Sequence, residues 1–148
     1  MNAMLILVQA VAQNIALLCC ALYTGAAVYV CLVEHPAMTE GGKTLAAAFV
    51  VVAHPRTTIF HAAFGIVGAL AGMLAGVASG RLAWLSGALL LAAAAAVHVA
   101  VVMPFTQRCL DAGASGMPAP FPTLARLHAG LALAGPAPLF LFIQNAGL

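Results

Sequence analysis

The chain has 148 residues, of which 65% are hydrophobic and only 5% are charged, and its mean hydropathy is +1.13. A soluble domain carries about 25% charged residues, so this composition excludes a protein that covers itself with a hydrated surface. The formal net charge of +2 is too small to indicate a nucleic-acid partner. The sequence therefore predicts an integral membrane protein in contact with the lipid bilayer.

Charged residues divide the chain into four long uncharged runs, which are residues 1–33, 57–80, 82–107 and 127–148. Each run exceeds the roughly 20 apolar residues that cross a hydrocarbon core. We therefore predict an all-α fold, a single domain of residues 1–148 that forms an antiparallel bundle of four transmembrane helices. The predicted spans are residues 10–34, 56–79, 82–104 and 123–145.

The first run lacks the positive segment that opens a secretory signal peptide, because no Lys or Arg precedes Lys43. We therefore expect it to remain in the mature protein as the first span, with Pro36 ending the helix. Residues 38–53 are predicted to form a polar connection whose middle lies on the membrane surface.

The second helix is predicted to start at residues 54–56, since a proline such as Pro55 suits a first helical turn. A tight connection around Arg81 should lead into the third helix, which is expected to end at Pro104.

The glycines and prolines of residues 105–122 predict an irregular loop rather than a helix. Beyond this loop, Pro136 and Pro138 are expected to bend the fourth helix.

Glycine recurs at every fourth position of the second helix, at Gly68, Gly72, Gly76 and Gly80. Small residues at this spacing let membrane helices approach closely. The expected contact is with the alanine-rich third helix, and homo-oligomerisation through the same stripe is the alternative.

The distribution of basic residues predicts the orientation. Lys43, Arg56, Arg108 and Arg126 fall on the face that bears both long loops, whereas only Arg81 falls on the opposite face. Because basic residues favour the cytoplasmic side, we expect a multi-pass protein of the inner (plasma) membrane with cytoplasmic long loops and both termini outside.

Two histidines are predicted to lie inside the bundle. At about 100° per residue, His61 falls within about 20° of Gly68 and Gly72, so its imidazole faces the packed side of the helix. His98 lies shortly before Pro104, and antiparallel helices place it in the same half of the membrane as His61. Buried ionisable groups usually face a cavity or a partner, although a bond to a backbone carbonyl would also account for each histidine.

Further polar residues lie near the same membrane face, namely Glu34, His35, His54, Arg56, Arg108, Arg126 and His128. Three chemistries fit this layer. A pocket could hold a flat phenolic substrate, with a histidine removing its proton and an arginine holding the anion. Alternatively, imidazoles and Glu34 could bind a metal ion, or haem could bind between His61 and His98.

Four short segments resemble the anthrone-oxygenase-like family of small four-span membrane proteins. They are Tyr-Val-Cys-Leu-Val-Glu-His-Pro-Ala at residues 29–37, His-Pro-Arg at 54–56, Met-Pro-Phe-Thr-Gln-Arg-Cys-Leu at 103–110 and Leu-His at 127–128. Thr106 stands where that family often has asparagine. The resemblance implies a four-helix membrane fold, and fungal relatives oxidise anthrones to anthraquinones. Carried over by motif position, it implies a site made of Glu34, His54, Arg56, Arg108 and His128.

The residues and the resemblance together predict an oxidoreductase or monooxygenase that acts on a hydrophobic aromatic or quinone-like molecule from the bilayer. No organic cofactor is required, and haem or a histidine-bound metal remains open. The predicted catalytic residues are His61, His98, His128 and Glu34, and the predicted substrate-binding residues are His54, Arg56, Arg108 and Arg126. The alternative is a non-enzymatic helper subunit or a small-ligand-binding protein, in which the polar layer only ties helix ends together.

Overall fold

The computed structural model describes residues 3–111 and 121–146, and these residues form helices and contain no strand. Four helices are long and apolar enough to cross a membrane, which confirms the predicted all-α architecture. We call them spans 1 to 4, and they are Ala3–Glu40, Pro55–Ser79, Leu82–Arg108 and Thr123–Asn145.

The four spans form a closed bundle, because spans 1 and 3 each pack against both span 2 and span 4. Small residues line most of the interior, and its largest fully buried side chains include Tyr23, Trp84 and Phe142. The exterior is apolar, and Leu133, for example, is 83% exposed. A continuous apolar exterior of this kind indicates contact with lipid.

The spans are built from seven α-helices and two short π-helical turns within the described residues. Span 1 contains α1 (Ala3–Tyr29), a π turn (Val30–Glu34) and α2 (His35–Glu40), and α3 (Gly42–Ser79) carries span 2. Span 3 contains α4 (Leu82–Val97), a π turn (His98–Val102) and the start of α5 (Met103–Asp111), and span 4 contains α6 (Phe121–Ala134) and α7 (Pro136–Asn145).

Pro36 and Pro104 do not end their helices, contrary to the sequence-based prediction. A π turn precedes each proline, and the backbone N–H of His35 accordingly donates to the carbonyl of Val30, five residues back. Proline cannot donate a backbone hydrogen bond, and its ring clashes with the carbonyl four residues earlier. The wider π turn relieves that clash, so both helices continue beyond the proline.

The predicted start of the second helix at residues 54–56 is also wrong. Helix α3 begins at Gly42, and Pro55 lies inside it. The chain breaks instead at Gly42, whose φ of +76° separates α2 from α3 and suits a residue without Cβ. Residues 42–53 are therefore helical and continuous with span 2, which begins at Pro55.

Of the two connections that follow span 2 and span 3, the first agrees with the prediction and the second agrees only in part. Gly80 takes a left-handed conformation with φ +68°, and the extended Arg81 leads directly into α4, so the predicted tight turn is confirmed. In the predicted irregular loop, residues 105–111 are helical, whereas residues 112–120 lie outside the described residues. In the last span, where Pro136 and Pro138 were expected to bend the helix, α6 ends at Ala134 and α7 begins at Pro136.

The glycine stripe is used within the chain. A Cβ built on Gly68, Gly72 or Gly76 would lie 2.8, 3.1 or 2.6 Å from a side chain of span 3. The predicted contact with the third helix is therefore confirmed. Since these three glycines are buried, only Gly80 of the stripe is exposed for the alternative contact with another copy.

The tightest helix contact near the polar half of the bundle involves Gly65, which lies outside the predicted repeat. A Cβ on Gly65 would lie 2.7 Å from the Cβ of Ala95 and 3.4 Å from the ring of Tyr23. Neither the Ala95 methyl nor the buried ring can swing away. Span 2 and span 3 can therefore approach this closely only because residue 65 has no side chain.

We expect Gly65→Ala to lower the free energy of unfolding by about 1–3 kcal/mol, as overpacking of a closed core does. Gly130→Ala is the matched control, because a Cβ there meets nothing within 4 Å. Alanine in an open helical position stabilises by up to about 1 kcal/mol relative to glycine. Reversible unfolding in mixed detergent micelles measures the free energy of unfolding of both variants. Equal stabilities would contradict the close packing of Gly65 against Ala95 and Tyr23.

The end of the bundle opposite the histidines is closed by polar contacts to the last helix. The Arg81 guanidinium donates to the backbone carbonyl of Asn145 at 2.7 Å, and the Trp84 indole N–H donates to the same oxygen at 3.3 Å. Trp84 also stacks on Phe142 with ring centroids 4.8 Å apart. Donors at the carboxyl end of α7 satisfy a carbonyl that the helix itself leaves open.

Candidate functional site

One buried histidine comes from each of the four spans, and all four lie in the same half of the bundle. They are His35 of span 1, His61 of span 2, His98 of span 3 and His128 of span 4, and none is more than 7% exposed. We call these four side chains the histidine cluster. Buried polar side chains inside a membrane span are rare and usually functional, so this cluster is the candidate site.

The four imidazoles form one continuous row. The rings of His61 and His98 are stacked, with centroids 4.7 Å apart and planes inclined by 15°, and the ring of His98 lies 6.0 Å from that of His128. His128 in turn contacts His35, with 3.2 Å between Nδ1 of His128 and Nε2 of His35. The expected common depth of His61 and His98 is therefore confirmed, and the row extends to His128 and His35.

Backbone carbonyls fix the tautomers of two cluster members. His61 donates from Nδ1 to the carbonyl of Thr57 at 2.8 Å, because a carbonyl can only accept. Nδ1 of His128 lies 3.2 Å from the carbonyl of Leu124 and therefore also carries a hydrogen. The same N–H points to Nε2 of His35, which accepts from it. In both His61 and His128 the Nε2 atom is consequently the basic nitrogen.

The π turn in span 1 brings His35 into the row. An uninterrupted α-helix would place His35 about 120° around the helix from the buried Tyr23, since each residue advances about 100°. The π turn Val30–Glu34 inserts one residue, which removes roughly 100° of that difference. His35 therefore faces the same interior as Tyr23. Sequence reasoning placed His35 near the cluster but did not select it, because an ideal helix turns it away.

Tyr23 is a second residue of the site that sequence reasoning missed. Its ring stands edge-on to His61, with centroids 5.3 Å apart and an angle of 83°. The side chain is completely buried, and its hydroxyl has no hydrogen-bond partner among the described residues. A tyrosine in the middle of an apolar run is the signal that could have identified it, since a buried hydroxyl normally requires a partner.

One small cavity opens beside the His35–His128 pair and a second lies next to it, and Glu34 belongs to the wall of both. The inner cavity has a volume of ≈ 20 Å³, enough for one water molecule, and Glu34, Thr57 and His128 are among its lining residues. The outer cavity of ≈ 120 Å³ is lined by Tyr29, Val33, Glu34, Ala37, Met38 and Phe49. We call the two together the Glu34 cleft. The inner cavity contacts the His35–His128 end of the histidine row, and both cavities share Glu34, Met38 and Phe49 as lining residues.

The three arginines predicted to bind substrate are not part of the wall of the cleft. Arg56, Arg108 and Arg126 are exposed, and none of them lines either cavity. Exposed arginines near span ends generally extend toward lipid phosphates. The side chain of His54, which was predicted to bind substrate with them, lies outside the described residues.

The arrangement does not suit haem between His61 and His98. Two axial imidazoles point nitrogens at one iron from opposite sides, which separates their ring centroids by more than about 6 Å. The faces of these two rings instead lie 4.7 Å apart. In the part of the chain that the structure describes, no three His, Cys, Asp or Glu side chains are placed to hold one metal ion.

The arrangement is instead suited to proton transfer. Imidazole changes protonation near neutral pH, and two adjacent imidazoles joined by a hydrogen bond can share a proton. Compared with protein-family models, with curated proteins and with solved structures, the chain matches none of them. The histidine cluster and the Glu34 cleft therefore carry the functional inference.

Proposed function

We propose that this protein is a membrane oxidoreductase of the anthrone-oxygenase type, which deprotonates a hydrophobic phenolic or quinone-like compound for oxidation by O₂. The observation that carries the proposal is the row of four buried imidazoles, one from each span, beside the Glu34 cleft. A histidine that only satisfies its own helix needs no contact with histidines of other helices. The motif resemblance at Glu34 and His128 supports the same reading.

His128 and His35 together serve as the general base. They stand at the wall of the cleft, where a substrate can reach them, whereas His61 and His98 lie deeper in the row. His128 accepts the substrate proton at Nε2, and the neighbouring imidazole of His35 stabilises the resulting imidazolium through their 3.2 Å contact. A positioned base of this kind contributes about 10²–10⁴-fold to the rate of a proton transfer.

The reaction balances with O₂ as the oxidant. The imidazole removes a proton from the activated CH₂ of an anthrone, and the electron pair of that bond remains on carbon. The carbanion passes this pair to O₂ as a C–O bond forms, and the imidazolium returns its proton to give a hydroperoxide. Loss of water from the hydroperoxide leaves a carbonyl, so CH₂ and O₂ become C=O and H₂O.

The substrate lies at the boundary between the protein and the bilayer. The cavities of ≈ 20 and ≈ 120 Å³ are smaller than the ~300 Å³ of an ordinary ligand pocket. A fused-ring compound therefore inserts one edge into the cleft and leaves its other rings in lipid. Tyr29, which is 54% exposed, and Phe49, which is 37% exposed, form the aromatic margin against which it packs.

We place the protein in the inner membrane, with the cleft toward the cytoplasm and both termini outside. Arg56, Arg108 and Arg126 lie on the face that carries the cleft, as expected for the cytoplasmic side. Their exposure also supports a role at the lipid headgroups rather than on the substrate anion.

The test is oxidation of a dihydroxyanthrone by the purified protein in lipid nanodiscs. We expect O₂ uptake and anthraquinone absorbance to rise together, in a one-to-one ratio and in proportion to the protein added. Protein-free nanodiscs give the rate of autoxidation, and Leu133→Ala serves as a control variant, because Leu133 is exposed and lines neither cavity of the cleft. A rate with protein equal to autoxidation would refute the proposed reaction.

A further inference from the structure

Two neighbouring side chains of spans 1 and 2 each bury a polar atom that has no hydrogen-bond partner among the described residues. The two atoms are the hydroxyl of Tyr23 and Nε2 of His61, and neither has a hydrogen-bond partner in residues 3–111 and 121–146. Both side chains are 0% exposed, and their rings are in edge-on contact at 5.3 Å.

The two atoms are complementary in chemistry. Since His61 carries its hydrogen on Nδ1 and donates it to Thr57, its Nε2 can only accept. The Tyr23 hydroxyl can donate. Leaving a buried donor and a buried acceptor unpaired is costly, and interiors usually avoid it by including water or a ligand.

The surrounding side chains offer little else to these atoms. The Tyr23 ring packs against Gly65, whose missing side chain leaves room for it, and the other ring next to His61 on its own helix is Phe60. Of the neighbouring polar groups, His98 presents its ring face to His61 in the stacked pair.

We propose that Tyr23 and His61 form a binding site for a single hydroxyl group, which accepts from the Tyr23 O–H and donates to Nε2 of His61. The hydroxyl belongs either to a water molecule or to a small phenol, since both present one donor and one acceptor at the same oxygen. This deepens the proposed function, because a hydroxyl held here connects Tyr23 to the row of imidazoles. The binding itself requires no oxidation.

The test compares Tyr23→Phe with Tyr29→Phe in nanodiscs. Each substitution removes one hydroxyl from the same helix, but Tyr29 is 54% exposed. We expect Tyr23→Phe to lower Tm by several degrees and Tyr29→Phe to leave it unchanged. We also expect the ¹⁵N chemical shift of His61 Nε2 to move toward the value of a free acceptor only in Tyr23→Phe. Removing a hydroxyl that binds nothing would instead leave Tm equal or higher, because a buried unsatisfied group is lost.

The source of the hydroxyl is decided by two further measurements on the wild type. If it is a phenol, added phenol raises Tm of the wild type but not of Tyr23→Phe, and toluene, which has the same shape without the hydroxyl, does not. If it is water, the imidazole protons of His61 show a magnetisation transfer from a bound water that Tyr23→Phe loses. A Tyr23→Phe variant as stable as the wild type overturns the proposal. So does a destabilised variant without phenol response or bound water, which would indicate a direct bond between the two side chains.

These readouts are independent of turnover. Retained hydroxyl binding without oxidation of an anthrone would refute the proposed reaction and keep this site. Oxidation of the anthrone together with an unchanged Tm of Tyr23→Phe would support the proposed reaction and refute this hydroxyl-binding site.

Discussion

The His128→Ala variant is expected to oxidise a dihydroxyanthrone at least ~100-fold more slowly than the wild type, because it loses the general base. His128 is 3% exposed, contacts His35 at 3.2 Å and lines the inner cavity of the cleft. Initial rates of O₂ uptake in nanodiscs, corrected for autoxidation, measure the effect. The loss should fall on kcat, since the variant retains the aromatic margin that holds the substrate.

Chemical rescue separates this role from a structural one. Alanine at this position leaves a space beside His35, and added imidazole should enter it and restore part of the turnover without changing Tm. Leu133→Ala, on the same span, controls for substitution in an exposed position. Full turnover in His128→Ala would contradict the role of this histidine, and a loss that imidazole does not reverse would assign it to folding.

The Trp84→Ala variant is expected to lose about 3–5 kcal/mol of unfolding free energy, the range observed when a large buried aromatic residue is truncated. Trp84 is 0% exposed, stacks on Phe142 at 4.8 Å and donates to the carbonyl of Asn145. Truncation removes all three contributions at the end of the bundle remote from the histidines. Unfolding in mixed detergent micelles and the melting temperature in nanodiscs measure the loss.

Trp84→Phe is the matched variant, because it keeps an aromatic ring beside Phe142 but removes the indole N–H and part of the ring volume. We expect it to lose about 1–3 kcal/mol, less than Trp84→Ala, from the lost hydrogen bond and the smaller cavity. Protein of either variant that remains folded should oxidise the anthrone at the wild-type rate, since the site lies in the other half of the membrane. Equal stability of Trp84→Ala and the wild type would show that this end does not hold the bundle together.

The two ends of the bundle thus have different physical roles. The end that carries Trp84 is closed by aromatic stacking and by hydrogen bonds from Arg81 and Trp84 to the carbonyl of Asn145 in the last helix. The other end concentrates imidazoles and an unpartnered hydroxyl, a polar arrangement that costs stability in an apolar bundle. Such a cost is expected where binding or proton transfer is required.

Much of the architecture could be predicted from composition and periodicity. Runs without charge long enough to cross a bilayer predict four helices, because a helix makes its backbone hydrogen bonds within the segment that crosses the lipid. The four-residue glycine repeat predicts the contact between the second and third spans, because only small residues permit that approach. The position of His61 on the glycine face follows from the helical period and places it in the interior.

Proline positions predicted the starts and ends of the helices less reliably. Pro36 and Pro104 predict helix ends, yet both helices continue because a π turn before each proline absorbs the clash with the ring. Pro55 predicts a helix start, yet it lies inside α3, and the break falls at Gly42, where φ is positive. Local chemistry identifies a disturbed turn, but tertiary packing decides whether the helix ends there.

The sequence by itself determined that this chain forms four helices able to cross a membrane, with histidines in one half of the bundle. Only the tertiary structure decided that four of these histidines meet, that Tyr23 packs against His61, and that Arg56, Arg108 and Arg126 do not line the Glu34 cleft. The physical reason is rotation: one inserted residue in a π turn shifts every later side chain by about 100°, and no periodicity in the sequence shows it. The packing of the helices against one another then decides which of these side chains are buried together inside the bundle.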